Sequence, residues 1–270
     1  HNPVLTNRNK APFIIQGIGH GDLIQDKNGE WHIICLGFRQ IHMWMTYHHL
    51  GRECFLIPVT FHEDGWFTAG NGTCEEIYEL SGDFVQLPLK TYTLENIGHD
   101  ICHLRHPHTE NYSITKDKIT LKGTDVTLDD VDSPTFAGVR QRDFDMDCSV
   151  SVSVSDGEGG LTVYSCETEH YDLAVRKNDG GYEAILRLNI GGIRHIEKAV
   201  QIPSGSAKLI IRSDSQVYKF FVQSQGKEIP MGFAMSKYLS SEVCGGFTGT
   251  VIGMYAVKGS AEFTDLRISY

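Results

Sequence analysis

The stretch Ser149-Val150-Ser151-Val152-Ser153-Val154 alternates strictly between small polar and β-branched residues. A period of two cannot lay an apolar stripe along a helix. It lays one along a strand, so the valines are predicted to face a core and the serines water. The same pattern fills the chain. Gly29-Glu30-Trp31-His32-Ile33-Ile34-Cys35-Leu36 follows the turn Gln25-Asp26-Lys27-Asn28-Gly29. Asn178-Asp179-Gly180-Gly181 separates Tyr171–Arg176 from Tyr182–Leu188, which is a hairpin signal. Tyr218–Val222 and Leu266–Tyr270 read as further strands. Helical periodicity is almost absent, so the fold class is all-β.

At 270 residues the chain is long enough for two domains. The segment Ile101-Cys102-His103-Leu104-Arg105-His106-Pro107-His108-Thr109 follows neither period and carries a proline, so it reads as a junction. Domains are accordingly predicted over residues 1–105 and 108–270, the second with the regular strand spacing of a β-sandwich. A net charge of -10 disfavours nucleic acid as a partner and suits a neutral ligand such as a sugar. No apolar run reaches the ~20 residues of a membrane span. The seven cysteines are scattered, and none forms a CxxC pair. They read as small buried hydrophobes, which favours a cytoplasmic location over an oxidising one.

Three short runs near the start carry a family resemblance: Gly19-His20-Gly21-Asp22-Leu23, Cys35-Leu36-Gly37-Phe38-Arg39 and Leu50-Gly51-Arg52-Glu53-Cys54-Phe55-Leu56. Together they resemble the last blade of the five-bladed β-propeller of glycoside hydrolase family 43, the β-xylosidases and α-arabinofuranosidases. Downstream, Asp132-Ser133-Pro134-Thr135-Phe136-Ala137-Gly138-Val139-Arg140-Gln141, His170-Tyr171-Asp172-Leu173 and Gly245-Gly246-Phe247-Thr248-Gly249 resemble the concanavalin-A-like sandwich appended to one branch of that family. The resemblance implies the terminal portion of the propeller followed by that sandwich. It also implies a share in an exo-acting, inverting glycosidase that releases xylose or arabinose from plant-derived oligosaccharides. Inversion needs an acid and a carboxylate base ~6.5–9.5 Å apart. In the family these come from earlier blades, so no catalytic residue is expected in this chain, and the chain alone is expected to be inactive. The remaining blades are expected as a separate or cleaved chain, or as a part of a longer sequence than this one. The alternative is a non-catalytic carbohydrate-binding or purely structural sandwich.

Within the blade, Asp26 and Asp64 sit in turns and read as solvated, and Glu53 reads as an ion-pair partner. Arg39 ends an apolar strand, where a guanidinium can hold sugar hydroxyls with fixed geometry. The resemblance places it in the sugar pocket, although most arginines are simply solvated. Trp44 lies in the apolar loop Ile41–Tyr47, expected at the pocket rim or at a contact between subunits of a homo-oligomer. His20, between two glycines, reads as a crowded position. The resemblance puts it on the propeller axis, near a calcium ion that touches it through a hydrated shell. No cofactor is otherwise required. On the sandwich, Phe247 and, second, Phe136 are the candidates for an aromatic that closes the pocket. A phenylalanine in the sandwich core is the competing assignment for both.

Overall fold

The computed structural model describes residues 2–8, 10, 13–78 and 89–270. Its first unit is one antiparallel sheet in chain order: β1 (Ile15–Gln25), β2 (Trp31–Arg39), β3 (Glu53–Phe61) and β4 (Phe67–Ala69). Four strands are what one propeller blade contains. The β1–β2 turn is closed by Asp26, whose Oδ1 accepts the N–H groups of Asn28 and Glu30. Asp64 does the same for Trp66 at the next turn. One side of the sheet buries Ile15, Ile33, Cys35, Ile57, Ala69 and Cys74. Leu23, Ile24, Ile34, Leu56 and Phe61 stay exposed. Trp31 meets the edge of Phe61 at 5.6 Å, and Trp66 stacks on Phe67 at 5.5 Å, so both indoles pack within the blade.

The second unit contains β5 (Tyr92–Thr93), β6 (Tyr112–Ile114), β7 (Ile119–Gly123), β8 (Thr135–Arg140), β9 (Met146–Val154), β10 (Glu158–Cys166), β11 (Glu169–Asn178), β12 (Gly181–Ile190), β13 (Ile193–Ile202), β14 (Ser206–Ser213), β15 (Val217–Ser224), β16 (Lys227–Met235), β17 (Val251–Val257) and β18 (Gly259–Ser269). They form two sheets. One runs β13-β12-β11-β10-β17-β8; the other runs β16-β15-β14-β9-β18-β7-β6, with β5 paired to β18. Their inner faces share one core. Val150, Val152 and Val154 of β9 meet the side contributed by Leu161, Val163 and Leu173, as alternation requires. Ser153 is exposed as predicted, whereas Ser149 is covered, on a strand flanked by both β14 and β18. The predicted hairpin forms between β11 and β12, with Asn178 paired to Gly181 and the Gly180 N–H on Asn178 Oδ1.

The division predicted at residues 105–108 falls earlier. Tyr92, Leu94 and Ile97 are buried in the sandwich core, and Tyr92 pairs with Ile268. The aperiodic segment after them is laid on the sandwich, not strung between domains. Cys102 bridges Gly138, and His103 Nδ1 lies 2.8 Å from Phe136 O. Its irregular pattern reflects these single contacts, which no strand period encodes.

Candidate functional site at the domain junction

Three backbone hydrogen bonds join blade and sandwich along the segment that leads into β3. His48 O accepts Ser241 N–H, His49 O accepts Thr250 N–H, and Arg52 N–H donates to Phe247 O. Such close backbone approach needs glycine on both sides. A Cβ on Gly249 (φ +75°) would stand 2.2 Å from the Leu50 carbonyl, and one on Gly51 would stand 2.5 Å from Gly249 N. Arg140 reinforces the seam, donating from Nη2 to Leu50 O at 2.7 Å and Arg52 O at 2.6 Å. His48 stacks on Phe38 at 3.8 Å and bonds Glu242 through Nδ1.

Arg39 sits at the end of β2 against this seam. Its Nε and Nη2 grip the two oxygens of Glu53 at 2.9 and 3.0 Å. Its Nη1 reaches Asp143 Oδ1 at 3.0 Å, and Nη2 also donates to Arg142 O at 3.0 Å. Four of the five guanidinium N–H donors are thus engaged, two of them by the sandwich. The Phe144 ring lies beneath, 5.1 Å from the guanidinium carbon. Burial opposes the charge, but Glu53 and Asp143 outweigh it and hold the proton more firmly than usual. Glu53 is an ion-pair partner as expected, of Arg39. A cleft of about 390 Å³ opens alongside, lined by Leu50, Arg52, Glu53, Arg140, Gln141 and Arg142 among others.

Phe247 projects from the glycine loop beside the seam and is 64% exposed, with the Arg52 guanidinium 3.9 Å above its ring. Phe136 is a correction. It is fully buried on β8, and its ring occupies the space a Cβ at Gly253 of the neighbouring strand would need, 2.1 Å away. It therefore cannot face a pocket. Trp44 is 79% exposed in the loop after β2 and borders a cleft of about 260 Å³ with Lys10, Phe13, Gln16, Gln40 and Met43. It does not join the Arg39 cluster.

His20 matches the expectation only in part. It is exposed at φ +49°, on an edge strand with register shifts on both sides of Gly19, and Gly19 has open space around it. The two flanking glycines differ: a Cβ on Gly21 would stand 3.1 Å from Ile33 Cγ2, a tight approach, whereas Gly19 serves an irregular, open edge. Among the described residues, the one group with metal-ligand spacing is Asp26, Glu30 and His32, which excludes His20. Calcium takes oxygen ligands, so a single imidazole can meet it only through the hydrated shell that the resemblance implies. No chemical step is therefore assigned to a metal.

Sequence reasoning missed His49, Asp143, Arg140 and the Glu242–His48 pair. His49 is fully buried between Phe144 at 5.3 Å and Tyr218 at 5.8 Å, and neither ring nitrogen has a hydrogen-bond partner. Burial, then the nearby His48 and Arg39, drive its pKa down to about 3. A second polar cluster lies on the outer face of the six-stranded sheet. There His170 meets Asp172 at 2.9 Å and Asp129 at 3.2 Å, while Arg187 joins Asp172 to Glu158. Its charges pair among themselves, which marks it as a strap for the residue 127–130 loop.

A four-stranded propeller blade joined to a two-sheet β-sandwich across an arginine-rich seam defines an architecture: a terminal propeller portion buttressed by a sandwich domain. Residues 1–67 match the glycosyl hydrolases family 43, and residues 90–267 match the β-xylosidase C-terminal concanavalin-A-like domain. The chain belongs to glycosyl hydrolase family 43, as the terminal propeller portion and sandwich of that architecture. A non-reducing end α-L-arabinofuranosidase of Bacteroides ovatus is 35% identical over 268 residues, covering 94% of this chain and 50% of that protein. A xylosidase/arabinosidase of Butyrivibrio fibrisolvens is 25% identical over 273 residues, covering 94% of this chain and 52% of its own length. Among solved structures, the Bacteroides ovatus xyloglucan-locus family 43 protein superposes with a TM-score of 0.88 at 33% identity. It is matched over 99% of this chain and 56% of its own length. The chain thus spans about half the length of the curated relatives it matches.

Proposed function

We propose that the chain is the C-terminal half of an exo-acting, inverting glycosidase that removes arabinose or xylose from the non-reducing ends of plant-derived oligosaccharides. The observation that carries this reading is the junction. A strand-end arginine is held rigid from both domains with one N–H still to offer, and an exposed phenylalanine stands on the facing loop. A rigid guanidinium orients a sugar hydroxyl, and an aromatic closes over a chain end, which suits exo cleavage. The relatives' activities, arabinofuranosidase and xylosidase/arabinosidase, support the two sugars named. Phe233 and Phe247 are the only strongly exposed aromatics of the sandwich among the described residues, so a row of stacking platforms does not favour the binding-module alternative.

In this reading the cleaving carboxylates belong to the other blades. The test is turnover of aryl β-xyloside and aryl α-arabinofuranoside. The 270-residue chain alone is expected to give none, and the chain joined to its missing blades is expected to release single sugars. Hydrolysis by the verified chain alone would overturn the division of labour. Release of internal fragments by the joined protein would overturn the exo mode.

A further inference from the structure

The β1–β2 hairpin gathers three metal-ligating side chains at its tip. Ile24 pairs with His32, Gln25 pairs with Trp31, and Asp26 N–H donates to Glu30 O at 2.9 Å. Asp26 therefore stands opposite Glu30. Glu30 and His32, two residues apart on extended backbone, share its face. One carboxylate oxygen from each acid and one ring nitrogen of His32 lie within 4.8 Å of one another. The Asp26 carboxylate is held in place. Its Oδ1 accepts Asn28 N–H at 2.8 Å and Glu30 N–H at 2.9 Å, and neither amide goes to Oδ2.

His32 is the unusual member of the group. It is only 3% exposed, yet among the described residues its ring has no hydrogen-bond, ion-pair or ring-contact partner. A buried imidazole ordinarily has one, because removing its nitrogens from water is otherwise costly. Two other buried histidines are placed differently. His170 bonds Asp172 and Asp129 directly, and His49 sits between the Phe144 and Tyr218 rings. His32 instead faces two carboxylates across a gap that no direct bond closes.

We propose that Asp26, Glu30 and His32 bind a zinc ion, with water in the fourth position, as a clip on the β1–β2 hairpin. An imidazole ligand favours a borderline metal over calcium or magnesium, which take oxygen donors. The two carboxylates balance the two positive charges, and His32 supplies a neutral nitrogen. Ligand atoms ~2.1 Å from a tetrahedral zinc stand about 3.4 Å apart. Glu30 is exposed, so rotation of its side chain closes the difference, while the Asp26 carboxylate and the buried His32 ring are already set. The ion acts on the hairpin and not on the sugar site. His32 and Arg39 lie seven residues apart on β2, roughly 23 Å at the strand rise, so the clip and the domain junction are at opposite ends of the strand.

The test uses zinc chloride as the probe on the purified 270-residue chain after treatment with a chelator. Titration calorimetry should show one zinc per chain, and calcium or magnesium at the same concentration should show no binding. X-ray absorption at the zinc edge should show nitrogen and oxygen at ~2.0–2.1 Å and no sulfur shell at ~2.3 Å. Asp26→Asn keeps an acceptor for the two turn amides, and Glu30→Gln keeps the size of the side chain, so both variants should retain the circular dichroism of the unmutated chain. Each should weaken zinc binding by more than about tenfold, since loss of even an outer partner of a metal ligand costs ~10–100-fold. Zinc should also raise the tryptophan-fluorescence midpoint of the unmutated chain, because Trp31 lies between two of the ligands, and leave that of both variants in place. No saturable zinc binding, a sulfur shell around the bound metal, unchanged zinc affinity in either folded variant, or calcium bound as tightly as zinc would overturn the proposal.

Discussion

His49 is an imidazole with no partner in a seam made largely of partnered groups, and that makes it a pH sensor by default. Its pKa falls from 6.5 unfolded to about 3 folded, so between those values the unfolded chain binds the extra proton. Stability is therefore lost as pH drops below about 6.5. His170 works in the opposite sense. Burial disfavours its charge, yet Asp172 and Asp129 outweigh burial and raise its pKa to about 9. Its contribution is complete below 6.5 and is lost as pH rises through 9. Each effect is on the order of a few kcal/mol. Denaturant midpoints measured across pH should peak near 6.5. His49→Leu should flatten the acid limb and leave the alkaline one, and unchanged limbs in that variant would refute the assignment. Arg39 permits a second prediction at this scale. Arg39→Lys keeps the charge but loses the fork that grips Glu53. In the complete enzyme kcat/KM should fall on the order of a hundredfold, the cost of misplacing a substrate by ~1 Å. An unchanged kcat/KM in a folded variant would remove Arg39 from the sugar site.

At the scale of elements, two phenylalanines that look equivalent in sequence separate cleanly. Phe247 rides an exposed loop, whereas Phe136 fills the space over Gly253 on β17. Phe247→Ala should change kcat or KM of the complete enzyme and leave its melting temperature nearly intact. Phe136→Ala should cost about 3–5 kcal/mol of sandwich stability. The reverse pattern would exchange their roles. Strand alternation and turn glycines made the sheets legible from the chain alone, because both are local signals. Arg39 at a strand end was legible for the same reason. Its partner Asp143 was not, since the pairing joins residues far apart in sequence through two separate folding units. His20 was legible in part for a related reason: a glycine flank signals an unusual backbone, which is close packing on Ile33 at Gly21 and an irregular, open edge at Gly19. The start of the sandwich at Tyr92 was hidden because a two-residue strand carries no period to detect.

For the molecule as a whole, the two units are unequally built. The blade closes on a small buried cluster, Ile15, Ile33, Cys35, Ile57, Ala69 and Cys74, while the sandwich buries residues from both sheets in one large core. A lone blade with an apolar face in water holds little hydrophobic free energy to offset its chain entropy. What steadies it in this chain is the seam of backbone bonds and the Arg39 grip on Asp143. Unfolding should therefore proceed in two steps, blade first. The chain supplies its own reporter. Its three tryptophans are Trp31, Trp44 and Trp66, all on the blade side. On heating, tryptophan fluorescence should change at a lower temperature than the far-ultraviolet circular dichroism of the sandwich strands. Arg39→Ala should lower the fluorescence midpoint and leave the dichroism midpoint in place, because the sandwich core does not include that residue. Mild proteolysis between the two midpoints should leave a fragment that begins near residue 90 and retains the sandwich. Coincident midpoints by both probes, with a single calorimetric transition, would instead make the seam strong enough to fuse blade and sandwich into one cooperative unit.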